Sequence, residues 1–173
     1  MVKLNLACGG VAIEGYIGID IHKTEATDMV MDLLKFPWPF EDNSVDTIYC
    51  SHFFEHIPKE LRVPFMEECY RILKVDADMK VVVPAYNSER AVMDFTHEWP
   101  PITGNSFLYF NKPWRETNKL THGPYDIKAD FKCESQAVMS EDWQTRAYDA
   151  QIFASRHYWN SVLDIIIHLK KKA

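Results

Sequence analysis

Leu4–Ile21 reads LNLACGGVAIEGYIGIDI. An apolar run breaks at Gly9 and Gly10, and a second run follows and stops at Asp20. One reading is a β-hairpin closed by a glycine turn; the other is a pair of parallel strands with a ligand-binding turn between them. Only about eight residues separate Gly9 from the second run, fewer than the dozen or more a parallel crossover needs. That spacing favours the hairpin. A hairpin, however, leaves unexplained why the next short apolar run, Asp28–Asp32 (DMVMD), also ends in an acid.

Outward from this stretch, Lys3–Ala7, Tyr16–Ile21 and Asp28–Asp32 read as three strands, and Ser44–Ser51 (SVDTIYCS) as a fourth. FPWPFED, Phe36–Asp42, is irregular, because Pro37 and Pro39 lack backbone donors and fix φ. From Lys59 to Lys74 the apolar residues Leu61, Phe65, Cys69, Ile72 and Leu73 recur at helical steps, with a kink or late start expected near Pro64. Lys74–Asp78 (KVDAD) reads as a turn and Met79–Val83 (MKVVV) as a fifth strand ended by Pro84. Phe131–Met139 and Val162–Lys170 complete seven strands, and a helix is expected to start near Thr103 or Asn105. Strands apolar on both faces and separated by crossovers predict an α/β fold: a Rossmann-like, mostly parallel seven-stranded sheet with helices on both faces and an antiparallel C-terminal strand.

A chain of 173 residues fits a single domain, 1–173, with segment 85–143 as a lid or acceptor region inside it. With 47% hydrophobic, 13% aromatic and 25% charged residues, the composition is globular rather than disordered. The net charge of −6 lacks the basic face that phosphate backbones attract, so no nucleic-acid partner is expected. Lys170–Lys172 reads as a solvated tail. Neither a signal peptide nor an 18-residue apolar span is visible, so no membrane partner is expected and a cytoplasmic location is. The cysteines (Cys8, Cys50, Cys69 and Cys133) have no metal-ligand spacing; they read as reduced, buried thiols, with no metal expected.

In open parallel sheets ligands sit beyond the carboxyl ends of the strands, and the chemistry-bearing residues fall there. Cys8-Gly9-Gly10 follows strand one, Asp20 ends strand two, Asp32 ends strand three, and Ser51–His56 follows strand four. Glycine lets a ligand approach the backbone. A carboxylate after strand two can accept both hydroxyls of a ribose. One after strand three suits an adenine amino group, with Leu33 and Leu34 to sandwich the ring. The structural alternatives are turn formers and helix caps.

The order LNLACGG, YIGIDI, MDLLKFPWPFEDNSVDTIYCSHFFEHI, FMEECYRILKVDADMKVVVP resembles the class I S-adenosylmethionine-dependent methyltransferases, in a compact branch with a very short first helix. The resemblance covers Lys3–Pro84. It implies a cofactor turn instead of a hairpin, with S-adenosylmethionine as cofactor and S-adenosylhomocysteine as product. Ala7, Cys8, Gly9 and Gly10 would border the methionine part, Asp20 would hold the ribose, Asp32 with Leu33 the adenine, and Ser51 with His52 would line the site. Two departures stand out: Val11 and Ala12 replace the third glycine of the turn, and Val75–Asp78 replaces the Pro-Gly-Gly turn before strand five.

Methyl transfer from a sulfonium needs alignment and shielding more than activation of the donor. Phe53, Phe54, Trp99 and Tyr109 are candidate partners for the sulfonium charge. His97, Asp94 and His122 are candidate bases, against the reading of each as a surface or packing residue. Glu55 and His56 read as a helix start and supporting groups, and Trp114, Trp143, Trp159, Tyr148 and Tyr158 as packing. The favoured acceptor is a small molecule or sugar-like compound, with its cavity shaped by Tyr86–Tyr125. A non-catalytic relative serving as a binding or partner domain is the alternative. A nicotinamide oxidoreductase fits less well, because the acid follows the glycines too closely for a fingerprint needing about 20 residues. The oligomeric state is not encoded in any of these features.

Overall fold

The computed structural model describes residues 1–123 and 126–173; Pro124 and Tyr125, the end of the aromatic segment, lie outside the described residues. Seven strands form one sheet: β1 (Lys3–Leu6), β2 (Ile17–Asp20), β3 (Met29–Val30), β4 (Val45–Ser51), β5 (Leu73–Pro84), β6 (Phe131–Met139) and β7 (Val162–Lys171). Their order is β3-β2-β1-β4-β5-β7-β6. The first five are parallel, whereas β7 runs antiparallel between β5 and β6.

The opening stretch is therefore not a hairpin: Leu4 pairs with Ile17 and Leu6 with Ile19 in parallel register. Residues 7–16 contain no helix. So short a crossover closes because β1 is only four residues long, a rise of roughly 13 Å that an extended loop retraces easily. Asn5 fixes the loop from inside the core, its Nδ2 donating to the Val11 carbonyl at 2.9 Å. Gly18 is the tightest point of β2: a Cβ there would meet the Ala26 carbonyl oxygen at 1.9 Å.

Helix α1 (Lys59–Ile72) links β4 to β5 and buries Phe65, Met66, Cys69 and Ile72. It starts at Lys59 and carries Pro64 inside it, so the late start is not taken: one lost backbone bond is outweighed by the buried face. The expected turn Lys74–Asp78 is instead part of β5, which starts at Leu73. Its register jumps from Val45↔Leu73 to Thr47↔Asp78, with the extra residues absorbed at Asp76, whose φ is +63°.

The Pro-rich segment is a plug. Trp38 is buried edge-on against Phe65, and its backbone N–H donates to Glu68 Oε1 at 2.6 Å. Arg71 brackets the same carboxylate from Nη2 at 2.6 Å and Nε at 3.0 Å.

Segment 85–143 divides in two. Phe107 and Phe110 on a 3-10 helix (Gly104–Phe110, capped by Thr103), with Ile127, Ala129 and Phe131, join the core. Helix α2 (Lys112–Thr117) is anchored by the buried Arg115, which donates to the carbonyls of Tyr109, Ile127 and Ala129. Val92, Met93, Phe95 and Trp99 are instead exposed. Two short helices, α3 (Glu141–Gln144) and α4 (Tyr148–His157), precede β7. Tyr148 and Trp159 are exposed and so not packing residues, whereas Trp143 stacks on Tyr158 at 5.4 Å. Cys8, Cys50 and Cys69 are buried free thiols and Cys133 is half-buried; burial pushes the Cys133 thiol up to about 12. Among the described residues no helix is long and apolar enough to cross a membrane.

Candidate active site

Strand order reverses between β1 and β4: β2 and β3 lie to one side of this pair, β5 to the other. Such a switch point opens a crevice at the carboxyl ends. Here each strand is followed at once by a left-handed, non-glycine residue, Ala7 and His52, each with φ +53°. This backbone costs L-residues about 1–2 kcal/mol each and turns the chain sharply away from the strand ends.

A hollow of about 230 Å³ opens beside this point. Ala7, Asp20, Asp32 and Leu33, four of the residues singled out from sequence, line it with Ile21, Met31, Leu34 and Phe53. The floor is apolar and the rim carries two carboxylates. Asp20 ties the hollow together: its Oδ2 accepts from Gly9 N and its Oδ1 from His22 N, both at 2.9 Å. Each oxygen keeps a further lone pair for a ligand hydroxyl. Asp32 Oδ1 accepts from Leu34 N at 3.0 Å, while Lys35 lies 3.5 Å from Oδ2. Gly9, at φ +52°, and Gly10 have open space where a Cβ would stand, so a ligand can lie along their backbone. The side chain of Cys8 turns the other way, buried with Sγ 3.4 Å from the Ala26 carbonyl; only its backbone borders the crevice. At this volume the hollow is below the range of about 300–1,000 Å³ for whole ligand pockets, which suits the adenosine end of a longer molecule.

Beyond Ser51, at the tip of β4, His52 opens a second cavity of about 280 Å³ shared with Glu55, His56, Asp94 and His97. A neighbouring cavity of about 270 Å³ continues under Val92, Phe95 and Trp99. The two candidate bases, His97 and Asp94, thus sit together, with His97 Nε2 3.8 Å from Asp94 Oδ2. Hydrogen bonds from the Thr96 hydroxyl (2.7 Å) and the Thr96 N–H (2.8 Å) hold the Asp94 carboxyl below the usual carboxylate range. The Glu55 carboxylate, 3.4 Å from His52 Nδ1, holds the His52 imidazole above its usual pKa. His122 is exposed and lines none of the three cavities. Of the aromatic candidates, Phe53 faces the hollow and Trp99 the outer cavity. Phe54 is core, packed on Phe65 and Phe107, and Tyr109 packs edge-on against Trp114.

Residues 7–79 match the family model described as methyltransferase domain. Among solved structures, the chain is similar to a SAM-dependent methyltransferase from Archaeoglobus fulgidus, with 18% identity and a TM-score of 0.67 over 98% of this chain and 85% of that one. It is also similar to a SAM-dependent methyltransferase from Methanosarcina mazei, at 15% identity and a TM-score of 0.55 over 98% and 92%. A small RNA methyltransferase aligns at 13% identity and a TM-score of 0.55, over 99% of this chain but 23% of that one. No curated protein matches the chain significantly.

The family likeness covers residues 7–79, and the whole chain has the fold of the class I methyltransferases. The cofactor of such methyltransferases is S-adenosylmethionine, and the hollow fits its adenosine end: paired carboxylates for hydroxyl and amino donors, an apolar floor for the ring, and an open glycine backbone beside them. The structure also gathers Glu55, His56 and His97, a cluster the linear sequence does not bring together. The signal was in the chain, since His97 was singled out and EH follows β4, but nothing in one dimension brings residue 97 to residue 56.

Proposed function

We propose that this methyltransferase acts, in the cytoplasm, on a small-molecule or sugar-like acceptor bound in the cavity of His52, Asp94 and His97. The observation that carries the reading is the adjacency of this polar cavity to the adenosine-type hollow, with the turn from His52 to Phe53 joining the two. Asp20 holds the ribose, while Asp32, Leu33 and Phe53 hold the adenine. The glycine turn and Ser51 border the remaining part. When bound, S-adenosylmethionine supplies a methyl group already activated on a sulfonium.

The work left to the chain is alignment and removal of a proton. His97 Nδ1 lies 3.1 Å from the Ala91 carbonyl, an acceptor only, so Nδ1 carries the proton and Nε2 presents a lone pair to the cavity. With an acceptor oxygen or nitrogen held beside it, Nε2 would take the acceptor's proton as the methyl group is transferred. Asp94 stabilises the resulting imidazolium. The net charge of −6 supports a small acceptor over nucleic acid.

Calorimetric titration with S-adenosylhomocysteine tests the hollow, and release of S-adenosylhomocysteine in the presence of hydroxyl and amine acceptors tests transfer. Binding that Asp20→Ala weakens, together with acceptor-dependent turnover, supports the reading. Binding without turnover on any acceptor favours the non-catalytic alternative, and no binding ends both.

A further inference from the structure

Among the described residues, Glu68, Arg62 and Lys171 are buried charged side chains with several partners each, and Asp164 leaves one buried oxygen, Oδ1, unpaired while its Oδ2 meets Arg90. Glu68 accepts from Arg71 and Trp38; Arg62 donates to the carbonyls of Ile57, Glu98 and Pro100; Lys171 donates to Asn43, Tyr70 and Leu73. Glu55 is the exception. It is 5% exposed, and among the described residues it is the one carboxylate with both oxygens buried and without a hydrogen-bond partner. Its nearest polar contact is His52 Nδ1 at 3.4 Å. An unsatisfied buried carboxylate is costly, and the half-exposed His52 ring at 3.4 Å engages it from one side only, which leaves room for a cation on the side of His56 and His97.

His56 and His97 supply the rest. Their rings meet edge to face at 4.6 Å, and one donor atom from each of Glu55, His56 and His97 lies within 4.8 Å of the others. Their hydrogen bonds orient both imidazoles as metal ligands are oriented. The Thr96 hydroxyl donates to Asp94 Oδ1 at 2.7 Å, so toward His56 Nδ1, 3.0 Å away, it can only accept. His56 therefore carries its proton on Nδ1, as His97 does beneath the Ala91 carbonyl, and both rings keep a bare Nε2. The backbone is pinned as well: Glu98 N donates to the Glu55 carbonyl at 2.8 Å, and Arg62 clamps residues 98 and 100.

We propose that Glu55, His56 and His97 form a binding site for a divalent first-row transition cation, with its open coordination positions facing the cavity that Asp94 and His52 border. Two imidazoles and one carboxylate suit Zn²⁺, Co²⁺ or Mn²⁺, whereas Mg²⁺ and Ca²⁺ prefer all-oxygen shells. The inference stands beside the acceptor reading, because cation and proton compete for the same lone pair on His97. That nitrogen is a base in the empty site and a ligand in the loaded one, where the cation would acidify a bound hydroxyl in its place.

The test uses the full chain, stripped with a chelator and then titrated with Co²⁺ and Zn²⁺. Expected are one tight equivalent per chain, visible d–d bands of a nitrogen–oxygen Co²⁺ site, and a thermal shift that Mg²⁺ at the same concentration does not give. Glu55→Gln, and separately the double variant His56→Ala/His97→Ala, are expected to weaken Co²⁺ binding at least a hundredfold, while circular dichroism reports their fold. If one variant fails to fold, the other decides. Absence of stoichiometric binding, or binding that both variants retain, overturns the site as adventitious histidine binding only. S-adenosylhomocysteine affinity measured on the same stripped chain separates the two readings: intact nucleoside binding without metal binding removes only this inference.

Discussion

A methyl group at residue 18 would stand 1.9 Å from a backbone oxygen that belongs to the opposite wall of its loop. Neither β2 nor the Ala26 turn can yield without disturbing the pairing of Ile19 with Leu6 and Met29. Gly18→Ala is accordingly expected to destabilise the protein by on the order of 3 kcal/mol, read as a lower denaturation midpoint at unchanged slope. Two residues on, Asp20 combines a structural with a binding role. Replacing it by Ala removes the acceptor of Gly9 N and His22 N, bonds to a charged group worth about 1.5–3 kcal/mol when buried. Asp20 is half-exposed, so a loss of about 1 kcal/mol is expected. S-adenosylhomocysteine affinity should fall much further, at least a hundredfold by titration calorimetry, because the ribose loses both acceptors. Equal losses in stability and affinity would reduce Asp20 to a turn former. At this scale the sequence was informative: an acid ending each of two short strands identified both rim carboxylates. It could not reveal that the Cys8 side chain points into the core, since that depends on the Ala26–Thr27 loop behind it.

Elements are where sequence pattern and structure part company. The strands and the long helix follow from runs of β-formers and helical spacing, whereas the parallel first crossover, against which the short spacing speaks, follows only from the resemblance to the methyltransferases. Two features escape because they are made by tertiary contacts. KVDAD looks like a turn by composition, yet Leu73 before it pairs with β4 and Asp78 at its end pairs with both β4 and β7, so the strand runs through it as an irregularity. FPWPFED has no periodicity at all, yet Trp38 is held by Glu68 and Phe65 from α1. That clamp gives a pH prediction. Burial by itself would raise the pKa of Glu68, but the hydrogen bonds from Arg71 and Trp38 outweigh it and bring the pKa below the ordinary value. A depressed folded-state pKa contributes stability that is complete above the unfolded value of about 4.3 and is lost as pH falls through the folded one. The native chain should therefore lose stability below about pH 4.5. Glu68→Gln should start about 1–2 kcal/mol lower at pH 7, because it loses charged hydrogen bonds to Arg71, which keeps Asp42 and two carbonyls, and show a shallower acid limb in denaturant titrations from pH 7 to 3. Parallel acid limbs would assign the acid sensitivity to other carboxylates.

At the scale of the whole molecule, the sheet order makes one site out of residues scattered from Ala7 to His97. Reversal between β1 and β4 puts the glycine turn next to the β4 tip; β2 and β3 then bring the two carboxylates from one side, and β5 brings the segment from Ala91 to Trp99 from the other. Hollow and acceptor cavity thus hang on opposite flanks of one crevice, which predicts where a ligand will be felt. S-adenosylhomocysteine at a hundred times its dissociation constant should add about 2.7 kcal/mol to global stability. Hydrogen exchange should slow first at the amides of residues 7–10, 20–22 and 31–34, whose loops line or border the hollow. The edge formed by β6 and β7 lies on the far side of β5 and gains only the global increment. Extra protection confined to residues 91–99 would place the nucleoside in the outer cavity instead, and the two carboxylates of the rim would then have no part in holding it.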